Sequence, residues 1–79
     1  MERLIAIVTG GNRGVGYETC GELARLGCLV VLTCRNEVEG QHAVSKLGSD
    51  DIVFHKLDVI DTKEIEALRD WIVKTYWQP

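Results

Sequence analysis

The sequence predicts an α/β fold: half of a doubly wound parallel sheet, with element order β-α-β-α-β-α and strand order 3-2-1. Three observations carry this prediction. Short apolar, β-branched runs alternate with longer stretches whose apolar residues recur at helical spacing. A glycine cluster, "VTGGNRGVG" at 8–16, stands directly behind the first of those runs. No proline precedes Pro79, so nothing breaks the helices that parallel strands need as crossovers.

The elements follow in order. Leu4 to Thr9 reads as a strand buried on both faces, because it is apolar without alternation. From Val15 the pattern is helical, with Val15, Thr19, Cys20, Leu23 and Ala24 on one face and Gly27 as the C-terminal cap. Leu29 to Thr33 is a second buried strand. Asn36 with Glu39 forms a capping pair that opens a second helix, whose stripe is Gly40, Ala43, Val44 and Leu47 and whose stop is Gly48. Ile52 to Leu57 is a third strand, interrupted by His55 and Lys56. Asp61 with Glu64 repeats the capping pattern, and Ile65, Leu68, Ile72 and Tyr76 mark a third helix. Right-handed crossovers put the first two helices on one face of the sheet and the third on the other.

Bulk properties narrow the function. The 79 residues make one small domain at most, and 46 % hydrophobic with 27 % charged residues is ordinary for a globular chain. A net charge of −3 leaves no basic footprint for nucleic acid. No apolar stretch approaches the roughly 18 residues that span a bilayer, so no membrane partner is expected. Met1-Glu2-Arg3 runs straight into the first strand without a cationic leader, which argues against secretion. Cys20, Cys28 and Cys34 are odd in number and show no Cys-x-x-Cys pair; neither His42 nor His55 stands at ligand spacing from them. They read as reduced, packed thiols of a cytoplasmic protein, with no metal site.

A strand that ends in glycines and leads into a helix is a phosphate-binding arrangement, since the helix N-terminus offers unpaired amides and partial positive charge. Gly10 and Gly11 permit the sharp exit from the strand. Gly14 lets the backbone approach a pyrophosphate, and Gly16 lets the helix pack against the sheet. The spacing is Gly10-x-x-x-Gly14-x-Gly16, and no Lys-Ser or Lys-Thr follows, so a nucleoside-triphosphatase loop is excluded. The second strand ends Thr33-Cys34-Arg35-Asn36. Cys34 stands where an NAD-binding carboxylate would, and Arg35 follows it; a guanidinium there favours a 2′-phosphate, with Arg13 as a second cation. Glu37 and Glu39 could turn toward a ribose, but their capping role makes that the weaker reading.

Thr9-Gly10-Gly11-Asn12-Arg13-Gly14-Val15-Gly16 resembles the Thr-Gly-x-x-x-Gly-x-Gly signature of the short-chain dehydrogenase/reductase family. "VVLTCRN" at 30–36 and "FHKLDV" at 54–59 extend the similarity, toward its carbonyl reductase and menthone or salutaridine reductase branch. The likeness covers residues 4–76. It implies that 1–79 is the N-terminal half of an NADP-binding Rossmann domain, and it repeats the roles read above for the glycine loop. Arg13 and Arg35 would take the 2′-phosphate, with Asn36 as a further contact and Asn12 and Val15 in the cofactor loop. Asp58 and Val59 would lie against the adenine; read alone, Asp58 is equally a turn residue. His55 and Lys56 receive no catalytic role, and Trp71 and Trp77 read as packing.

The family transfers hydride from NADPH to a ketone or aldehyde, using a tyrosine acid, a lysine four positions later and a serine. Here neither Tyr17 nor Tyr76 has that lysine, so no catalytic residue is assigned. Trp77-Gln78-Pro79 departs from the family pattern, which suggests an abnormal terminus. Two expectations stand: the cofactor-binding part of a carbonyl reductase, inactive alone, or a non-enzymatic nucleotide-binding module. The non-enzymatic reading has a second form, a piece that self-associates or pairs with another chain through the open edge of its first strand.

Overall fold

The computed structural model describes residues 3–77. The readings made on Met1 and Glu2, and on Gln78 and Pro79, lie outside the described residues. Six elements alternate: β1 (Ile5–Thr9), α1 (Gly14–Arg25), β2 (Leu29–Cys34), α2 (Glu37–Leu47), β3 (Ile52–Lys56) and α3 (Thr62–Tyr76). The strands form one parallel sheet with β2 in the centre, the predicted 3-2-1 order. Ile5 pairs with Leu29 and Thr9 with Thr33; Val30 pairs with Ile52 and Cys34 with Lys56.

Helix boundaries follow the local chemistry. After α1, Gly27 adopts φ +96° and donates to Ala24 O, while Cys28 N–H reaches back to Leu23 O, which satisfies the last carbonyls. Gly48 ends α2 in the same left-handed region. Asn36 Oδ1 accepts from Glu39 N–H, and Asp61 Oδ1 accepts from Lys63 and Glu64 N–H, so α2 and α3 are capped as predicted.

The two faces of the sheet are covered unequally. On one, α1 and α2 enclose Cys20, Val30, Leu32, Ala43 and Ile52, with Val8, Leu23, Leu47 and Phe54 around them. A Cβ at Gly40 would run into the Phe54 ring, so this glycine sets how closely α2 approaches β3. On the other face α3 covers Val31 and Leu57 with Leu68, flanked by Val53, Trp71 and Ile72. Every residue of β2 is buried, and Thr33 Oγ1 spends its hydroxyl on Val8 O at 2.8 Å.

Four sequence expectations are corrected. β1 is not buried on both faces: Ala6 and Val8 are half-buried against α1, whereas Ile5 and Ile7 are exposed, because α3 lies over β2 and β3. Val15 is 84 % exposed rather than on the inward face of α1, since that face runs through Tyr17, Cys20, Leu23 and Ala24. Ile65 is exposed, and Trp71 takes its place in covering the sheet, its ring 4.8 Å from that of His55. Trp77 caps α3 and is 71 % exposed, so only Trp71 packs.

Candidate functional site

The C-terminal ends of β1 and β2 and the start of α1 converge on one rim of the sheet. Gly11 N–H donates to Thr33 O at 3.0 Å and ties the glycine loop to the end of β2. The loop turns at Gly10 and Gly14, with φ +64° and +63°, a region in which side chains other than glycine are strained. A Cβ on Gly14 would meet no protein atom within 4 Å, so the space beside this backbone is open. Gly16 is the opposite case. Its Cβ would stand 2.5 Å from Gly10 O, so α1 can seat against the turn only without one.

Arg13 occupies the N-cap position of α1, and its side chain makes no capping bond. The first backbone bond of the helix runs from Tyr17 N–H to Arg13 O, which leaves the amides of Gly14, Val15 and Gly16 ahead of it. These amides and the helix dipole favour an anion at this point.

Beside them lies a cavity of about 800 Å³, within the usual range for small-molecule sites. Of the sequence-predicted residues it brings together Gly10, Asn12, Arg13, Arg35, Asn36 and Val59. Gly14, Val15 and Gly16 lie in the adjoining first turn of α1. Asp58 does not line the cavity: its Oδ1 accepts from Ile60 N–H at 3.2 Å, a turn-forming bond, and its own N–H donates to Glu64 Oε1. Arg13 and Arg35 are exposed and make no ion pair or hydrogen bond among the described residues. Two guanidinium groups thus share the cavity, and neither is held in an ion pair.

Thr9, Cys34, Leu57 and Glu39 also line the cavity and were not predicted as site residues. The first three are signalled by position alone, at or just past the ends of the strands. Glu39 was set aside as a capping residue. In the structure only its N–H is capped; its carboxylate accepts from Asn12 Nδ2 at 2.8 Å, and both residues line the cavity.

The remaining reactive groups have structural partners. Burial pushes the Cys20 thiol up to about 11, which keeps it protonated and packed. Cys34 Sγ donates to Asn36 O. Hydrogen bonding to Lys56, then to the Asp58 amide, holds the Glu64 carboxyl below its usual range, and the same contact raises Lys56. His55 Nδ1 donates to Lys56 O and its ring lies against Trp71. Among the described residues no cluster of three or more His, Cys, Asp or Glu could hold a metal, and no helix is long and apolar enough to cross a membrane.

A family model for short chain dehydrogenases matches residues 4–78. Salutaridine reductase of Papaver somniferum is 45 % identical over 80 residues, which cover 96 % of this chain and 25 % of that protein. Carbonyl reductase (NADPH) 1 of Oryctolagus cuniculus is 41 % identical over 78 residues, covering 95 % of this chain and 28 % of that one. The solved structure of the Papaver somniferum salutaridine reductase superposes with a TM-score of 0.90 at 42 % identity, over 96 % of this chain and 27 % of its own. The chain therefore spans about a quarter of the length of the curated relatives it matches. A parallel βαβαβα half-sheet, a glycine turn feeding an uncapped helix, and this match over nearly the whole sequence converge: the chain belongs to the short-chain dehydrogenase family.

Proposed function

We propose that residues 1–79 are a partial domain, the NADP(H)-binding N-terminal portion of a short-chain reductase whose hydride goes from NADPH to a ketone or aldehyde carbonyl. The observation that carries this reading is the pair of unpaired guanidinium groups, Arg13 and Arg35, lining one cavity beside the uncapped start of α1. The residues fit such a dinucleotide. The amides at Gly14 to Gly16 suit the pyrophosphate, and Gly14 leaves room for it. The two arginines suit a 2′-phosphate, with Asn36 beside them, and Val59 offers an apolar wall for the adenine, next to Asp58. When bound, the nicotinamide supplies the hydride. Gly21 stands four positions after Tyr17, where the family's lysine would be, so these residues bind and orient, and we expect no carbonyl reduction by them alone. All three cysteines are free, in keeping with a cytoplasmic setting.

Titration with 2′-phospho-ADP-ribose and ADP-ribose tests the reading without any catalytic step. Hydrogen bonds to charged groups contribute roughly 1.5–3 kcal/mol, so Arg35→Ala should weaken the 2′-phosphorylated ligand about ten- to a hundredfold and ADP-ribose little. Equal losses for both would show that Arg35 does not read the 2′-phosphate.

The uncovered side of β1 favours a second reading, a self-associating module. Among the described residues β1 pairs with β2 alone, and Leu4, Ile5 and Ile7 are exposed beside its open edge. Sedimentation should then show concentration-dependent association that Ile7→Lys abolishes; a monodisperse wild-type monomer at micromolar concentration would remove this reading.

A further inference from the structure

The cavity holds one carboxylate that the nucleotide reading does not use. Glu39 stands in the first turn of α2, where its N–H is fixed by Asn36 Oδ1 at 2.9 Å. Its Oε1 accepts from Asn12 Nδ2 at 2.8 Å, a bond between residues 27 positions apart. The side chain is thus committed neither to the cap nor to an arginine: none of the ion pairs of the described residues includes Glu39, Arg13 or Arg35. Its negative charge stands uncancelled in the same cavity as both guanidinium groups.

A 2′-phosphate carries about two negative charges at neutral pH, and a fixed carboxylate in its cavity repels it. A ribose 2′-hydroxyl, by contrast, can donate to that carboxylate. Selectivity is a difference between two affinities, and a repulsive element shapes it as much as an attractive one. We propose that Glu39, positioned by Asn12, is a specificity-determining residue that opposes the arginines, so that the site tempers its preference for 2′-phosphorylated nucleotides and admits 2′-hydroxyl nucleotides as well. This rests on the nucleotide reading of the cavity and adds a determinant to it. Asn12 acts through Glu39: it holds the carboxylate in the cavity lining.

Calorimetric titration of the chain with 2′-phospho-ADP-ribose and ADP-ribose tests it. Glu39→Gln keeps an oxygen for Asn12 and removes the charge. Exposed charge pairs are typically worth a factor of about two to five, so 2′-phospho-ADP-ribose should bind that much more tightly while ADP-ribose stays level or weakens. Glu39→Lys should shift the ratio further in the same direction, and both shifts should shrink with added salt. Unchanged ratios in both Glu39 variants, with Arg35→Ala still lowering 2′-phospho-ADP-ribose alone, would overturn the role of Glu39 and leave the nucleotide reading standing. Ratios unchanged in the Arg35 and Glu39 variants alike would overturn both.

Discussion

The three helices all follow a parallel strand, yet their N-termini are of two kinds. α2 and α3 start on Asn36 and Asp61, whose side chains accept from backbone amides of the first turn. α1 starts on Arg13, which caps nothing, after a loop with two left-handed glycines. A side-chain cap is worth about 1 kcal/mol, so a small domain gives up stability by leaving one end open. The same amides that a cap would occupy remain free for an anion. On the proposed reading the capped ends serve folding and the open end binding, and the two kinds should respond differently to substitution.

The largest effect is expected at the open end. Gly14→Val places a β-branched residue at φ +63°, a strain of about 1–2 kcal/mol. Its Cβ meets no protein atom, so the fold should survive while the side chain fills the space a pyrophosphate needs. Titration should show nucleotide binding reduced beyond measurement, with denaturant unfolding still cooperative. Near-normal affinity would remove the phosphate-loop reading. Gly16→Val sharpens the contrast, because its clash with Gly10 O should cost the fold as well as the ligand.

The division between helix ends was legible in the sequence, since caps and glycine turns are local chemistry. Asn36 and Asp61 each precede a glutamate by three, and both cap as expected. Burial was less legible. Leu4 to Thr9 is as apolar as the central strand, but how much of it is covered depends on how many helices lie over it, a tertiary fact that no local pattern holds. Val15, Ile65 and Trp77 were misplaced for the same reason: helical spacing fixes which residues share a face, not where the neighbouring element stops. In the candidate site, the glycines, Arg13 and Arg35 stand out by type and position, and the structure brings Gly10, Arg13 and Arg35 to one cavity. Glu39 did not stand out, because the capping pattern explained it sufficiently until its side chain was seen bonded to Asn12.

An intermediate effect separates the two kinds of end directly. Asp61→Ala removes a cap worth about 1 kcal/mol and should lower the melting midpoint by about 4–8 °C in a domain of this size. Affinity for 2′-phospho-ADP-ribose should stay within about twofold, because Asp61 does not line the cavity and its charge is screened. Arg13→Ala should do the reverse, weakening that ligand while leaving the midpoint in place, since its side chain makes no hydrogen bond or ion pair among the described residues. A shared loss of stability in both variants would erase the distinction.

The smallest effect concerns the two glutamates that follow the caps. Glu39 faces the cavity, whereas Glu64 ties the end of β3 to α3 by accepting from Lys56 Nζ and, at 2.8 Å, from the Asp58 amide. These bonds hold the Glu64 carboxyl below its ordinary value of 4.5, with the Lys56 hydrogen bond the larger cause. A depressed carboxyl contributes stability that is fully present above its unfolded value and lost as pH falls through the folded one. Lys56 is raised above 10.5, chiefly by the same hydrogen bond, so its share is present below that pH and lost as pH rises through the folded value. Glu64→Gln should therefore be less stable than the wild type between those limits, with the gap closing on acidification below 4.5 and narrowing in alkali. The pair is partly exposed, so salt should shrink the gap too. Urea midpoints measured across pH would show this. A gap independent of pH would mean that the charge of Glu64 takes no part in holding β3 to α3.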